Sequence, residues 1–175
     1  MYLFRIVALG LFLMLGGCQY IAIQSNQLSS IVSVFSSESN ELLGTPWVVQ
    51  YGGYSATMQA VTGDESTVFV NGHDAIYFDG WLISKVSGLR SFIPAWEIQD
   101  SDGERSFTVN GRIVARHQCA PWSSVVFENV VRHEQKCVGK KAYMNKILVN
   151  GLGQITAVEQ VVDSSLKVLT LRLDN

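Results

Sequence analysis

The sequence predicts an all-β protein, an antiparallel meander of roughly ten strands curved into a sandwich or a partly closed barrel, with one short N-terminal helix. Composition, periodicity and turn chemistry carry that prediction. Residues with branched or aromatic side chains dominate from Thr45 onward. Apolar positions alternate with polar or small ones, as in Tyr54, Ala56, Met58 and Ala60. Asn-Gly and Asp-Gly pairs recur between such segments and suit the positive φ values of tight hairpin turns. When hairpin follows hairpin, successive strands become antiparallel neighbours.

The strands follow in order. Trp47-Val48-Val49-Gln50-Tyr51 is aromatic and β-branched, and the alternation through Ala60 gives a second strand. Residues 75–78 lie between Asn71-Gly72 and Asp79-Gly80, and residues 81–86 follow. Asp102-Gly103 marks another turn, and Asn110-Gly111 joins 106–109 to 112–116. The last third offers 124–131, 142–149, 154–162 and 166–173, joined by glycines such as Asn150-Gly151 or by Asp163-Ser164-Ser165. No fixed-period repeat suggests a propeller. The strands are too short, irregular and charged for the lipid face of a membrane barrel.

Ahead of this domain, residues 19–44 are rich in Ser, Asn and Gln, the composition of a flexible tether. Leu28, Ile31, Val32 and Phe35 lie on one helical face, which predicts a short amphipathic helix. The N-terminus itself has Arg5, an apolar run over 6–15, and Leu15-Gly16-Gly17-Cys18. That is the layout of a secretory signal, and it falls short of the roughly 20 apolar residues that span a bilayer. The expected organisation is a signal peptide over 1–17, a lipidated tether with its helix over 18–44, and one β domain over 45–175.

The Leu-Gly-Gly-Cys ending resembles the lipobox of bacterial lipoproteins. That resemblance implies lipidation of Cys18 after cleavage, with acyl chains anchoring the chain to a membrane. Gln19 stands where an aspartate would favour inner-membrane retention, so the implied address is the outer membrane, periplasmic face. Cys119 and Cys137 then remain as an even pair in an oxidising compartment. A bridge between them would close a loop of about 18 residues and stabilise by roughly 3 kcal/mol. Two buried free thiols are the alternative; zinc is weaker still, because no Cys-x-x-Cys or paired histidines accompany them.

Net charge is −2, with no basic run to grip nucleic acid or anionic head groups. Catalytic patterns are poor, and the chain reads as no enzyme, with no metal or cofactor. A triad of Ser123, His117 and Asp100 can be drawn, as it can in most chains of this length. His73-Asp74 lies beside a hairpin turn and His133-Glu134 in a charged loop. No Gly-x-Ser-x-Gly elbow or phosphate-cradling loop occurs, and Asn150-Gly151-Leu152-Gly153 is a turn between strands. Core packing accounts for most of the four tryptophans. Trp96 after Pro94 and Trp122 after Pro121 are the candidate binding aromatics.

The lipobox, the helix at 28–35, the strand Tyr54-Ser55-Ala56-Thr57-Met58, the stretch Ala75-Ile76-Tyr77-Phe78-Asp79-Gly80-Trp81-Leu82-Ile83-Ser84-Lys85-Val86-Ser87-Gly88-Leu89, the strand near Cys119, and residues 143–161 around Gly153-Gln154-Ile155 together resemble the YjbF/GfcB group of bacterial outer-membrane lipoproteins. Ser84 stands where that group has threonine, and the stretch from Leu89 to Cys119 is shorter. The resemblance implies an all-β fold and a non-catalytic accessory role in exopolysaccharide or capsule assembly or export, with export proteins as partners. An alternative from another class is a carrier of acyl chains or lipoproteins, like LolB, which requires a hollow sheet.

Overall fold

The computed structural model describes residues 46–63 and 66–174; Cys18, the tether and the expected helix at 28–35 lie outside the described residues. Thirteen strands follow in chain order: β1 (Pro46–Tyr51), β2 (Tyr54–Thr62), β3 (Thr67–Asn71), β4 (Asp74–Phe78), β5 (Ile83–Gly88), β6 (Phe92–Ser101), β7 (Glu104–Val109), β8 (Arg112–Cys119), β9 (Ser123–Phe127), β10 (Val130–Val138), β11 (Ala142–Asn150), β12 (Ile155–Val161) and β13 (Val168–Leu173). All pairings are antiparallel, and β13 returns to β1, with Trp47 opposite Leu173 and Tyr51 opposite Leu169. Every strand except β9 takes part in one closed barrel; β9 hangs on the outer edge of β10.

The fold is the expected all-β antiparallel meander, with thirteen strands where the sequence predicts roughly ten, and its curved sheet closes fully into a barrel. Hairpins at Asn71-Gly72, Asp102-Gly103 and Asn110-Gly111 form where the dipeptides predict them, with positive φ at each of these glycines. Other turns use chemistry the dipeptide pattern does not flag. Gly52 turns β1 into β2, and Glu128, at φ 48°, splits the expected segment 124–131 into β9 and β10. His133 and Glu134, expected in a loop, lie inside β10.

Alternation sets what fills the barrel. In β1, Trp47, Val49 and Tyr51 point inward, and Leu169 and Leu171 of β13 do the same. Val49, Met58, Ile76, Val86, Phe107 and Leu171 are wholly excluded from solvent. The outward face carries ion pairs, among them Lys85–Glu97, Arg116–Glu104 and Arg172–Glu159. That is the inverse of a membrane barrel, whose outer band is apolar and whose lumen is polar. A cavity of about 320 Å³ opens at the end where β1 begins and β13 ends, between Trp47, Phe69, Phe78 and Leu173. Beyond it, buried apolar side chains occupy the interior.

Closure is tightest in sequence terms between β8 and β10. β8 pairs with β7 along its length, but meets β10 only through Gln118 and Cys119, opposite Val138 and Cys137. Beyond Cys119 the chain bends through Ala120-Pro121-Trp122, and β9 takes over the same edge of β10 from Glu134 to Val130. Ala120 N–H still donates to the Lys136 carbonyl at 2.8 Å. At this two-pair seam Cys119 and Cys137 form a disulfide, their Cα atoms 4.0 Å apart. Directly opposed residues without mutual backbone hydrogen bonds lie about this close, so the register itself presents the two sulfurs to each other. Replacing both cysteines by serine should cost about 3 kcal/mol in chemical denaturation compared with the oxidised protein. An unchanged midpoint and slope would show that the seam closes without its staple.

Candidate functional site

Five strands, β6, β7, β8, β10 and β11, bring polar side chains together at the seam. Cross-strand register sets Asp100 of β6 opposite Arg105 of β7, and Arg105 opposite His117 of β8. On the other side of the disulfide, Gln135 of β10 lies opposite Asn145 of β11, and Cys137 opposite Tyr143. The row therefore crosses the barrel wall as one polar stratum. Arg105 is fully buried; its Nε and Nη2 donate to the two Asp100 oxygens at 2.7 and 2.8 Å, and Nη2 also donates to Gln135 Oε1 at 3.0 Å. Asn145 Nδ2 donates to Gln135 Oε1 at 3.1 Å and lies 3.5 Å from Cys137 Sγ. Arg105 Nη1 has no partner among the described residues.

His117 is buried beside Phe107, and its Nδ1 shares a 2.8 Å hydrogen bond with the Tyr143 hydroxyl. Burial, and then the Arg105 charge, hold its pKa below the ordinary histidine value. Burial pushes Tyr143 up to about 12, with Arg105 lowering it and Asp100 raising it. Gly139 is required here: a Cβ on it would lie 2.5 Å from the imidazole.

Outside this stratum is a cleft of about 210 Å³, held between the β6–β7 turn and the bend after β8. Asp100, Ser101, Asp102, Cys119, Pro121 and Gln135 line it. Asp100 thus faces two ways, ion-paired inward with Arg105 while its side chain keeps 30 % of its surface exposed. The Ser101 hydroxyl donates to Asp102 at 3.2 Å.

Trp122, next after Pro121, carries the lining into an aromatic cluster. Its ring centroid lies 5.6 Å from that of Trp81, which stands edge-on to His133 at 5.0 Å. Trp81 is 48 % exposed yet firmly held. Asp79 Oδ1 accepts the backbone N–H groups of Trp81 and Leu82 at 2.8 and 2.7 Å. From the far wall, buried Gln160 of β12 donates to the Trp81 carbonyl at 2.6 Å and accepts from Ile83 N–H at 3.1 Å. The β4–β5 loop is thereby pinned into the barrel end. His133 Nδ1 shares a 2.8 Å hydrogen bond with Ser124 Oγ, and Arg132 sits 4.7 Å over the Phe127 ring while pairing with Glu134.

Of the candidate aromatics, Trp122 belongs to this cluster and Trp96 does not. Trp96 is half-buried in β6 and stands edge-on to Phe92. Trp81, which the sequence places in a strand, is the aromatic that the pattern missed. The signal available was Asp79, whose short side chain caps the loop and lifts residue 81 out of the ladder. Ser123, His117 and Asp100 do not form a triad. Ser123 Oγ donates to the Glu134 carbonyl, His117 engages Tyr143, and Asp100 engages Arg105. His73 is exposed in the β3–β4 turn, far in sequence and topology from both other histidines. Among the described residues no group of three His, Cys, Asp or Glu side chains converges to hold a metal ion.

Two outcomes follow from the buried stratum. Arg105→Ala strands the Asp100 carboxylate and Gln135, and should cost about 3 kcal/mol in urea unfolding, toward the lower end of the range because Asp100 is partly solvated. A loss under about 1 kcal/mol would mean the pair carries no structural weight. For His117, the unfolded imidazole binds protons more tightly than the folded one. Stability is therefore complete above the ordinary histidine pKa of about 6.5 and falls on acidification below it, by at most about 1.4 kcal/mol per pH unit. His117→Asn should flatten that slope in unfolding curves taken from about pH 7 down to 5. An unaltered slope would assign the acid sensitivity to other groups.

No family model matches the sequence, and no curated protein does. Among solved structures, the barrel is similar to that of the hypothetical lipoprotein YmcC from Escherichia coli K12, at 11% sequence identity and a TM-score of 0.52. The similarity covers 84% of this chain and 94% of that one. At this identity the similarity shows a shared fold.

Proposed function

We propose that this chain is a lipoprotein of the outer membrane, anchored through Cys18 and facing the periplasm. In this reading it is a non-catalytic accessory factor in exopolysaccharide or capsule assembly or export. The observation that carries the reading is the pairing of a signal-like segment ending in Leu15-Gly16-Gly17-Cys18 with a barrel whose fold is shared with a bacterial lipoprotein. The internal disulfide is the kind of staple that persists in an exported, oxidising compartment. The polysaccharide role comes from the resemblance to the YjbF/GfcB group, and export proteins are its proposed partners.

Non-catalytic action is supported by how the polar groups are used. Each member of the buried stratum is engaged in holding the wall together, and the three residues of the drawn triad face different partners. The carrier reading needs a hollow sheet wide enough for acyl chains. A barrel filled by Val49, Met58, Ile76, Phe107 and Leu171 favours the accessory reading instead.

The anchor is tested by Cys18→Ser. That variant should accumulate as an unprocessed precursor in the inner membrane, read by sucrose-gradient fractionation and by the mass of the N-terminal peptide. Normal outer-membrane fractionation would overturn the anchor. Deletion of the protein in its native host should reduce exported surface polysaccharide, restored by the wild-type chain and not by Cys18→Ser; undiminished polysaccharide would overturn the role.

A further inference from the structure

We propose that the cleft at the barrel seam and the Trp81–Trp122 pair form one saccharide-binding subsite, selective for neutral or amine-bearing sugars over acidic ones. The inference deepens the polysaccharide role proposed above and rests on it for its biological setting, but its chemistry comes from the site. A sugar ring presents two surfaces to a protein: a face of C–H bonds that packs on an aromatic plane, and a rim of hydroxyl donors. The two complements are joined through the chain: Pro121 lines the cleft, and Trp122, the next residue, packs on Trp81. Trp81 offers an indole about half exposed, and the cleft offers Asp100, Asp102 and Ser101.

The geometry favours a rigid receptor. Trp81 is fixed by Asp79 on its own loop and by Gln160 across the barrel, so little side-chain or loop freedom is lost on stacking. The cleft floor is fixed by the disulfide and by the Arg105–Asp100–Gln135 hydrogen bonds. At about 210 Å³ the cleft is smaller than the pockets that enclose drug-sized ligands, which begin near ~300 Å³, and it suits a single ring with the chain continuing over Trp81.

Charge sets the ligand class. Asp100 spends its charge on Arg105 but retains lone pairs, since a carboxylate accepts about four hydrogen bonds. Among the described residues, Asp102 accepts only from the Ser101 hydroxyl. The lining is therefore rich in acceptors and net negative, matched to hydroxyl and ammonium donors. A uronate or phosphate would meet like charge with no cation lining the cleft to offset it. An extended peptide would instead pair along a strand edge. The strand edge that could pair with a peptide is β9, whose outer side has no partner strand among the described residues.

The test uses the full-length lipidated protein in a detergent without a sugar head group. Tryptophan fluorescence and calorimetry follow titration with glucosamine oligomers, neutral glucose oligomers and oligogalacturonate. Saturable binding of the first two, with oligogalacturonate weaker by about tenfold or more, is expected. Trp81→Ala should weaken binding by roughly tenfold, the scale of one aromatic contact, and Trp81→Phe should restore part of it. Asp102→Asn should weaken the amine-bearing oligomer more than the neutral one. Absence of saturable binding to every saccharide, or binding that survives Trp81→Ala unchanged, would overturn the proposal. So would binding of an extended peptide that is lost on Val126→Pro in β9 while saccharides fail to bind. No saccharide binding by the wild-type protein, with surface polysaccharide lost on deletion, would sink the subsite and leave the accessory role standing, whereas Trp81-dependent binding with surface polysaccharide undiminished on deletion would sink the role and leave the subsite standing.

Discussion

Barrel closure between β8 and β10 is the constraint on which the rest depends. An antiparallel sheet that comes full circle leaves no edge open to other chains, but only if its last pairing forms. Here that pairing spans two residues of β8, because the chain bends at Ala120-Pro121-Trp122 and the β10–β11 hairpin ends at Val138. Two pairs of a ladder would be a weak hinge on their own. The disulfide turns this short contact into a covalent one, and the surrounding register packs Gln135, Asn145, Arg105 and His117 behind it.

Those buried polar groups are best understood as a consequence of that geometry. A barrel interior made only of apolar side chains would impose little preference between registers two residues apart at a short seam, since such a slip keeps the same face inward and buries similar surface. Hydrogen bonds that must be matched one to one do impose it. Asp100 fits Arg105 only in the observed β6–β7 register, and Asn145 reaches both Gln135 and the Val161 N–H only in the observed β10–β11–β12 register. A two-residue slip would keep the same face inward and leave a buried guanidinium and two buried amides unpaired, each at the cost of its desolvation.

How much of this was legible in the sequence can be argued residue by residue. Asn71-Gly72, Asp102-Gly103 and Asn110-Gly111 declare their turns because few other residues tolerate φ above zero. Glu128 adopts the same conformation without that signature, so one apolar run concealed a hairpin. The Cys119–Cys137 pairing was expected, against two free thiols, because the lipobox resemblance assigns Cys18 to lipid and leaves an even pair. The cleft was not, since its members come from residues 100–103, 119–121 and 135, and only closure brings them together. Trp81 was hidden for a related reason: its neighbours Leu82 and Ile83 are strand-like, while the partner that draws its loop into the barrel, Gln160, lies 79 residues away.

The bend that shortens the seam also creates the site. Had β8 and β9 run on as one unbroken strand, residues 120–122 would have paired with β10 and filled the space beside the β6–β7 turn. Instead Pro121, which has no N–H to donate, interrupts the ladder at the point where the wall must turn. The interruption leaves a recess above the disulfide and swings Trp122 against Trp81. A flexible bend would fill such a recess by collapsing. This one is braced, on one side by the bridge to Cys137 and on the other by a loop that Gln160 anchors from the opposite wall. The residues that make the barrel close therefore also keep the recess open, and a change in either should be felt in the other.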